Sequence, residues 1–219
     1  MKGIIIDGVA AAGKTTVLQL LQAKLVSDKP GSTKLFISEH YTQRMLEHKL
    51  HSDTLNTDEV IRHIATLCET LYPFQIMLNN SKFAQNPSGA EVFVTIERFI
   101  LTYLATQPNQ FDDSQIEELR KIFKRLSNHS IRQYILVLSP QKIKENVSKT
   151  LIHRNEKWAE FIESKGGLEK AVEDYEAWQN ELIRFSKVFS RDISTKYIQV
   201  DEKSYDEIAE YIYAKEFRS

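Results

Sequence analysis

GIIIDGVAAAGKTT, residues 3–16, is the stretch on which the fold turns. Its first half is a run of β-branched residues, Ile4, Ile5 and Ile6, closed by Asp7. A continuous apolar run of that kind reads as a strand buried on both faces of a parallel sheet. The second half sets Gly8, Gly13, Lys14 and Thr15 at the spacing GxxxxGKT, and an amphipathic series follows at Val17, Leu18, Leu20, Leu21 and Leu25. Strand, glycine-bearing loop and helix in that order describe a phosphate-binding loop. Backbone N–H groups from Gly8 through Ala10, Ala11, Ala12 and Gly13 to Thr16 are expected to surround the phosphates of ATP, helped by the helix N-terminus. Lys14 then reaches the outer phosphates and Thr15 ligates Mg²⁺. Asp7, at the strand end, either orients the loop or is idle.

Outward from this stretch, similar short runs recur at TKLFIS (33–38), EVFVTI (91–96), RQYILVL (132–138) and KYIQV (196–200). Helical patterns fill the gaps at about 14–26, 42–50, 57–85, 98–106, 113–128, 140–153, 167–190 and 204–216, the third expected to break near Pro73. Alternation of this kind is an α/β pattern with a parallel sheet between helices. DKPGST (28–33) and QNPSG (85–89) read as turns, too short to link domains. The charged piece ending in Gly166-Gly167 reads as a mobile lid at about 150–167 on one domain spanning 1–219.

Composition excludes several classes of function. The 29 Lys and Arg nearly balance 30 Asp and Glu, so no overall field draws a nucleic acid polymer or a membrane surface. A single Cys68 forbids an internal disulfide framework, and it reads as a packed small apolar group. No apolar run approaches the roughly 18 residues of a membrane span. With an apolar strand starting directly after Met1 and Lys2, the expected location is cytoplasmic. His48 and His51 share a helix face without a further ligand at zinc spacing. Trp158 and Trp178 read as anchors of the lid helix.

In an open parallel sheet, ligands sit beyond the carboxyl ends of the strands. The second apolar run leads into Glu39 and the third ends in Glu97-Arg98. Two carboxylates and a guanidinium therefore share an edge with the loop. A carboxylate can take the proton of a hydroxyl attacking a γ-phosphate while an Arg holds both in line, which suits Glu39 and Arg98. Glu97 suits the water shell of the ion. A nucleotide-binding regulatory protein would keep the loop but would not need Glu39 and Arg98. Elsewhere, YPFQIML (72–78) sets an amide among apolar neighbours. Burying it without partners is costly, so Gln75 must meet a neighbouring group, solvent or a ligand.

Taken together, GVAAAGKTT, Glu39, PFQ at 73–75, Glu97-Arg98, and SP (139–140) followed by HRNE (153–156) resemble the deoxynucleoside kinase family, which shades into the thymidylate kinases. The resemblance spans most of the chain. It implies a P-loop NTPase fold, with a five-stranded parallel sheet, helices on both faces and a short lid. It also implies transfer of the γ-phosphate of ATP to a nucleoside 5′-hydroxyl. Glu39 would be the general base, Arg98 its partner, Glu97 the magnesium-side acid and Arg154 the lid arginine. Gln75 would read the nucleobase between Tyr72, Phe74 and Phe99, with Lys82 as a basic partner. A homodimer is a further implication. The match departs at Ala11 for a Gly, Lys82 for an Arg, Tyr103 for an Asp, and Ile152 and Lys157 for an Arg and an acid of the lid. Ser38 replaces an Arg common in thymidylate kinases, which favours a hydroxyl acceptor. Two alternatives stay open: a thymidylate-type kinase using Arg44 or Arg62, and a phosphotransferase for a non-nucleoside alcohol such as an antibiotic or sugar.

Overall fold

The five apolar runs become strands β1 (Lys2–Asp7), β2 (Thr33–Ile37), β3 (Val92–Glu97), β4 (Ile131–Val137) and β5 (Thr195–Gln199). They form one sheet in the order β2-β3-β1-β4-β5, with every neighbouring pair parallel. The structure, a computed structural model, describes residues 1–44, 56–85, 91–153 and 156–218. Burial follows position in the sheet: every residue of the interior strand β3 is buried, whereas the edge strands β2 and β5 are largely half-exposed.

Side chains alternating along a strand feed two cores. On one face, Ile5, Val94, Ile96 and Ile135 pack beneath α3 (Thr57–Asn79), α4 (Ile100–Thr106) and α5 (Asp113–Asn128). On the other, Ile4, Ile6, Phe93 and Leu136 pack beneath α1 (Lys14–Asp28), α6 (Pro140–His153) and α9 (Tyr205–Glu216). Helix α8 (Gly167–Val188) serves both, giving Ala171 and Val172 to the second core and Leu182 and Phe185 to the first. Each fully buried Ile of β1 contributes about 2 kcal/mol relative to exposure. The remaining helices are the short α2 (Glu39–Thr42) and α7 (Glu156–Ser164). Capping boxes open α5, through Asp112 and Gln115, and α9, through Ser204 and Glu207.

Two local expectations are corrected, and the expected lid region gains a described helix. Helix α3 runs unbroken through Pro73. Proline removes one backbone donor, and Pro73 is exposed, so water can serve the carbonyl left over. The helix also stops at Asn79, short of residue 85, and a 3-10 turn occupies Lys82–Gln85. Finally, part of the expected lid is α7, whose Ile162 is buried in the second core and whose Trp158 stacks on Phe161 at 5.3 Å. Its charge density hid this apolar stripe. The expected helix beyond residue 44, with His48 and His51, lies outside the described residues. Among those described, no helix is long and apolar enough to cross a membrane.

Candidate functional site

The turn from β1 into α1 is built by close approach. A Cβ at Gly8 would press on the Leu136 carbonyl, and one at Gly13 would fall within the Tyr205 ring. Gly13 caps α1 at φ 83°, a left-handed conformation that glycine adopts at little cost. Asn146 of α6 clamps the turn from the side, its Nδ2 donating to the Ala11 carbonyl at 3.0 Å. Ala11 itself sits at φ 60° with a Cβ, which costs about 1 kcal/mol. Ala11→Gly, the residue the resemblance expects, should therefore raise thermal stability slightly; an unchanged or lower Tm would show that the lost Cβ contacts matter more.

Lys14 lies under this turn, 5% exposed, its Nζ donating to the Val9 carbonyl at 2.8 Å. Burial, reinforced by the Arg98 charge, pulls its pKa down to about 7, against the smaller opposing pull of Glu39, Glu97 and Asp7. Thr15 Oγ1 donates to Glu97 Oε1 at 2.5 Å. That pairing is set by sheet register: Ile6 stands opposite Glu97 in the β1–β3 ladder, and the Arg98 N–H continues it to the Ile6 carbonyl at 2.9 Å.

After β3 the chain turns sharply, and Arg98 carries φ 54°. A non-glycine residue in this region is held by its surroundings. Asp7 supplies the hold. Its Oδ1 accepts from Thr102 Oγ1 at 2.6 Å and from the Phe99 N–H at 3.3 Å, and its Oδ2 accepts from Gln133 Nε2 at 2.5 Å. Burial pushes the Asp7 carboxyl above its usual range, partly offset by those donors. The Arg98 guanidinium lies over the Trp178 ring at 4.9 Å, and its Nε forms an ion pair with Glu39 Oε2 at 3.0 Å. Arg44 approaches the other oxygen, Nε to Oε1, at 3.3 Å. Burial favours the neutral acid, but the charges of Arg98, Lys14 and Arg44 together hold Glu39 below the usual carboxylate range. Helix α2, which bears Glu39, is tied down through Thr42: its hydroxyl donates to the Glu97 carbonyl at 2.6 Å and its carbonyl accepts from Tyr103 Oη.

A crevice of about 350 Å³ results, walled by Gly13, Lys14, Thr15, Glu39, Arg98 and Tyr205. Next to it, sharing Ala10 and Arg98, opens a larger cavity of about 640 Å³ whose far walls come from α4, α7 and α8. Gln179 fixes α8 there, its amide donating to the Leu138 carbonyl and accepting from the Leu138 N–H, both at 2.9 Å.

The expected base-reading residues are elsewhere. Gln115, near the start of α5, donates to Thr57 and Asp58 at the start of α3, and Arg125, near the end of α5, lies over the Tyr72 ring at 4.6 Å. Tyr72 also stacks on His129, just before β4. The two helices thus run side by side toward the starts of the strands. At 1.5 Å per residue, Gln75 lies about 27 Å along α3 from Thr57. Gln75, Phe74 and Lys82 are therefore at the opposite end of the sheet from the crevice. The side-chain nitrogen of Gln75 donates to Asn79 Oδ1 at 2.8 Å, one helical turn on. Phe99 is at the correct edge but fully buried in the first core. Arg154 lies outside the described residues.

Asn146, Gln179, Trp178, Gln43 and Tyr205 were not singled out as site residues by the sequence. Asn146 and Gln179 did carry a signal: each is an amide on an otherwise apolar helix stripe, beside Val147 and Leu182 respectively. No protein-family model matches the chain, and no curated protein matches it.

Proposed function

We propose that this protein is an ATP- and Mg²⁺-dependent small-molecule kinase with a P-loop NTPase fold, transferring the γ-phosphate to a hydroxyl of a nucleoside-like acceptor. The observation that carries the reading is the convergence of Lys14, Thr15, Glu39 and Arg98 on one crevice at the carboxyl edge of the sheet, with Glu97 behind Thr15 as its hydrogen-bond acceptor. The residues fit the nucleotide. The turn ends at the N-terminus of α1, which favours an anion, and Lys14 rests on a backbone carbonyl that a phosphate oxygen can replace. A hydroxyl and one carboxylate suit Mg²⁺, which keeps waters and phosphates as its other ligands.

Mg-ATP, when bound, supplies the phosphoryl group and the ion that neutralises its charge. Lys14 would hold the outer phosphates, while Thr15 and Glu97 would hold the ion and its waters. Glu39, ionised at neutral pH, would accept the proton of the attacking hydroxyl. Arg98, fixed by Trp178 and the Asp7-anchored turn, would keep that carboxylate in line. A thymidylate-type kinase acting on a monophosphate is the second reading, favoured by Arg44, which is exposed beside the crevice.

The test is ADP release from Mg-ATP against ribo- and deoxyribonucleosides, their 5′-monophosphates and small alcohols, with Lys14→Ala as the blank. Turnover with a nucleoside supports the first reading and turnover with monophosphates alone the second. Binding of Mg-ATP without turnover on any acceptor would overturn both in favour of a nucleotide-binding protein.

A further inference from the structure

At the edge of the sheet opposite the crevice, we infer that a separate cavity binds a phosphate group. The assignment is independent of the kinase reading. The chain enters β4 from the end of α5 and β5 from the end of α8, so both turns lie beside strand starts. Between them opens a cavity of about 380 Å³, toward the small end of the range for small-molecule sites.

The charges of its walls favour an anion. Lys187 and Arg191 line it, and neither side chain forms an ion pair or hydrogen bond among the described residues. Asp192, the one acid of the lining, is already neutralised: Arg120 Nη1 lies 2.7 Å from its Oδ2 and Lys124 Nζ 3.5 Å from its Oδ1. An entering anion therefore meets two unpaired cations and a carboxylate whose charge is spent.

Hydroxyl groups complete the lining. Thr195 Oγ1 is buried with no hydrogen-bond partner among the described residues, a state that costs about 1–3 kcal/mol unless a ligand relieves it. Exposed cations alone would leave no such mark. Ser190 and Ser194, on the turn between Arg191 and β5, offer further donors. Donors and cations arrayed around a hollow suit the several oxygens of a tetrahedral phosphate better than a planar carboxylate. The cavity also has space beside the phosphate for a small hydroxyl-bearing body.

Two helix C-termini end here, and their carbonyls would repel an anion if left bare. They are occupied. Lys187 O accepts from the Ser190 N–H, Phe189 O from the N–H groups of Asp192 and Ile193, and Ser127 O from the Ser130 N–H. Val188 O accepts from Arg120 Nη1 at 3.2 Å, which brings a further positive charge to the wall.

Calorimetric titration of the full chain tests the assignment, on a Lys14→Met background that removes the ammonium of the crevice. Sodium phosphate, ribose 5-phosphate, ribose and sodium acetate are added at constant ionic strength. Saturable heat is expected with at least one of the two phosphate compounds, and with neither ribose nor acetate. Arg191→Gln and Lys187→Gln, both at exposed positions, should leave the Tm unchanged and each weaken that binding about tenfold. Thr195→Val, which keeps the branched shape and removes the hydroxyl, should weaken it about threefold. Tighter binding of inorganic phosphate supports the site with the free ion as ligand, and tighter binding of ribose 5-phosphate supports it with a phosphate monoester. No saturable heat with either phosphate compound, acetate bound as tightly as both, or affinity indifferent to the three variants overturns the assignment.

Discussion

Glu39→Gln is expected to lower kcat by about 10²- to 10⁴-fold, the range for loss of a positioned general base, while Mg-ATP binding stays near wild type. The amide keeps the shape of the side chain beside Arg98, but it cannot take a proton. Arg98, Lys14 and Arg44 hold the Glu39 carboxyl below its ordinary 4.5 despite burial. Wild-type kcat should therefore lose activity on the acid side only below that value, as the carboxylate protonates. Steady-state kinetics with the best acceptor, alongside calorimetric titration of Mg-ATP, reads both quantities. A variant retaining most of its kcat would reduce Glu39 to an ion-pair partner of Arg98.

Lys14→Met should produce two opposed effects. Transfer should fall by about 10²- to 10³-fold, as when one preorganised donor to a developing charge is removed. The ligand-free protein, however, loses a buried cation. With the Lys14 pKa drawn down from 10.5 to about 7, the unfolded chain binds more protons than the native one between those values. Native stability must therefore rise with pH across that window. Relative to Lys14→Met, the wild-type Tm should climb from about pH 7 toward 10, and a flat difference would refute the depressed pKa. Bound phosphate stabilises the charged lysine, so Mg-ATP binding should take up a proton above pH 7 and weaken as pH rises. That dependence should vanish in the variant.

Both predictions use residues that follow a strand end within seven positions, and this explains their visibility. β1, its turn and α1 follow one another without interruption, so connectivity alone put Gly8 to Thr16 beyond a strand. Glu97 and Arg98 were legible for the same reason. Continuous apolar runs located all five strands within a residue or two, because a strand covered on both faces has no polar side to confuse the pattern.

Gln75 shows where that legibility ends. Its amide among apolar neighbours left a neighbouring group, solvent or a ligand open, the resemblance chose the ligand, and in the structure Asn79 accepts from it. Which end of the sheet it faced depended on the direction of α3 across α5, a packing outcome that no local pattern encodes. Helix α7 was hidden because charge on its solvent face outweighed the Trp158 and Ile162 stripe.

The sequence by itself determined a parallel α/β sheet and a glycine-bearing turn followed by an acid at two strand ends, since each depends on residues contiguous in the chain. Only the tertiary structure decided that Ile6 stands opposite Glu97, that Asp7 holds the Arg98 turn, and that Trp178 and Gln43 wall one cavity. Those contacts join residues up to 135 positions apart, as between Ala11 and Asn146. They arise from strand register and helix packing, which emerge only when the whole core closes.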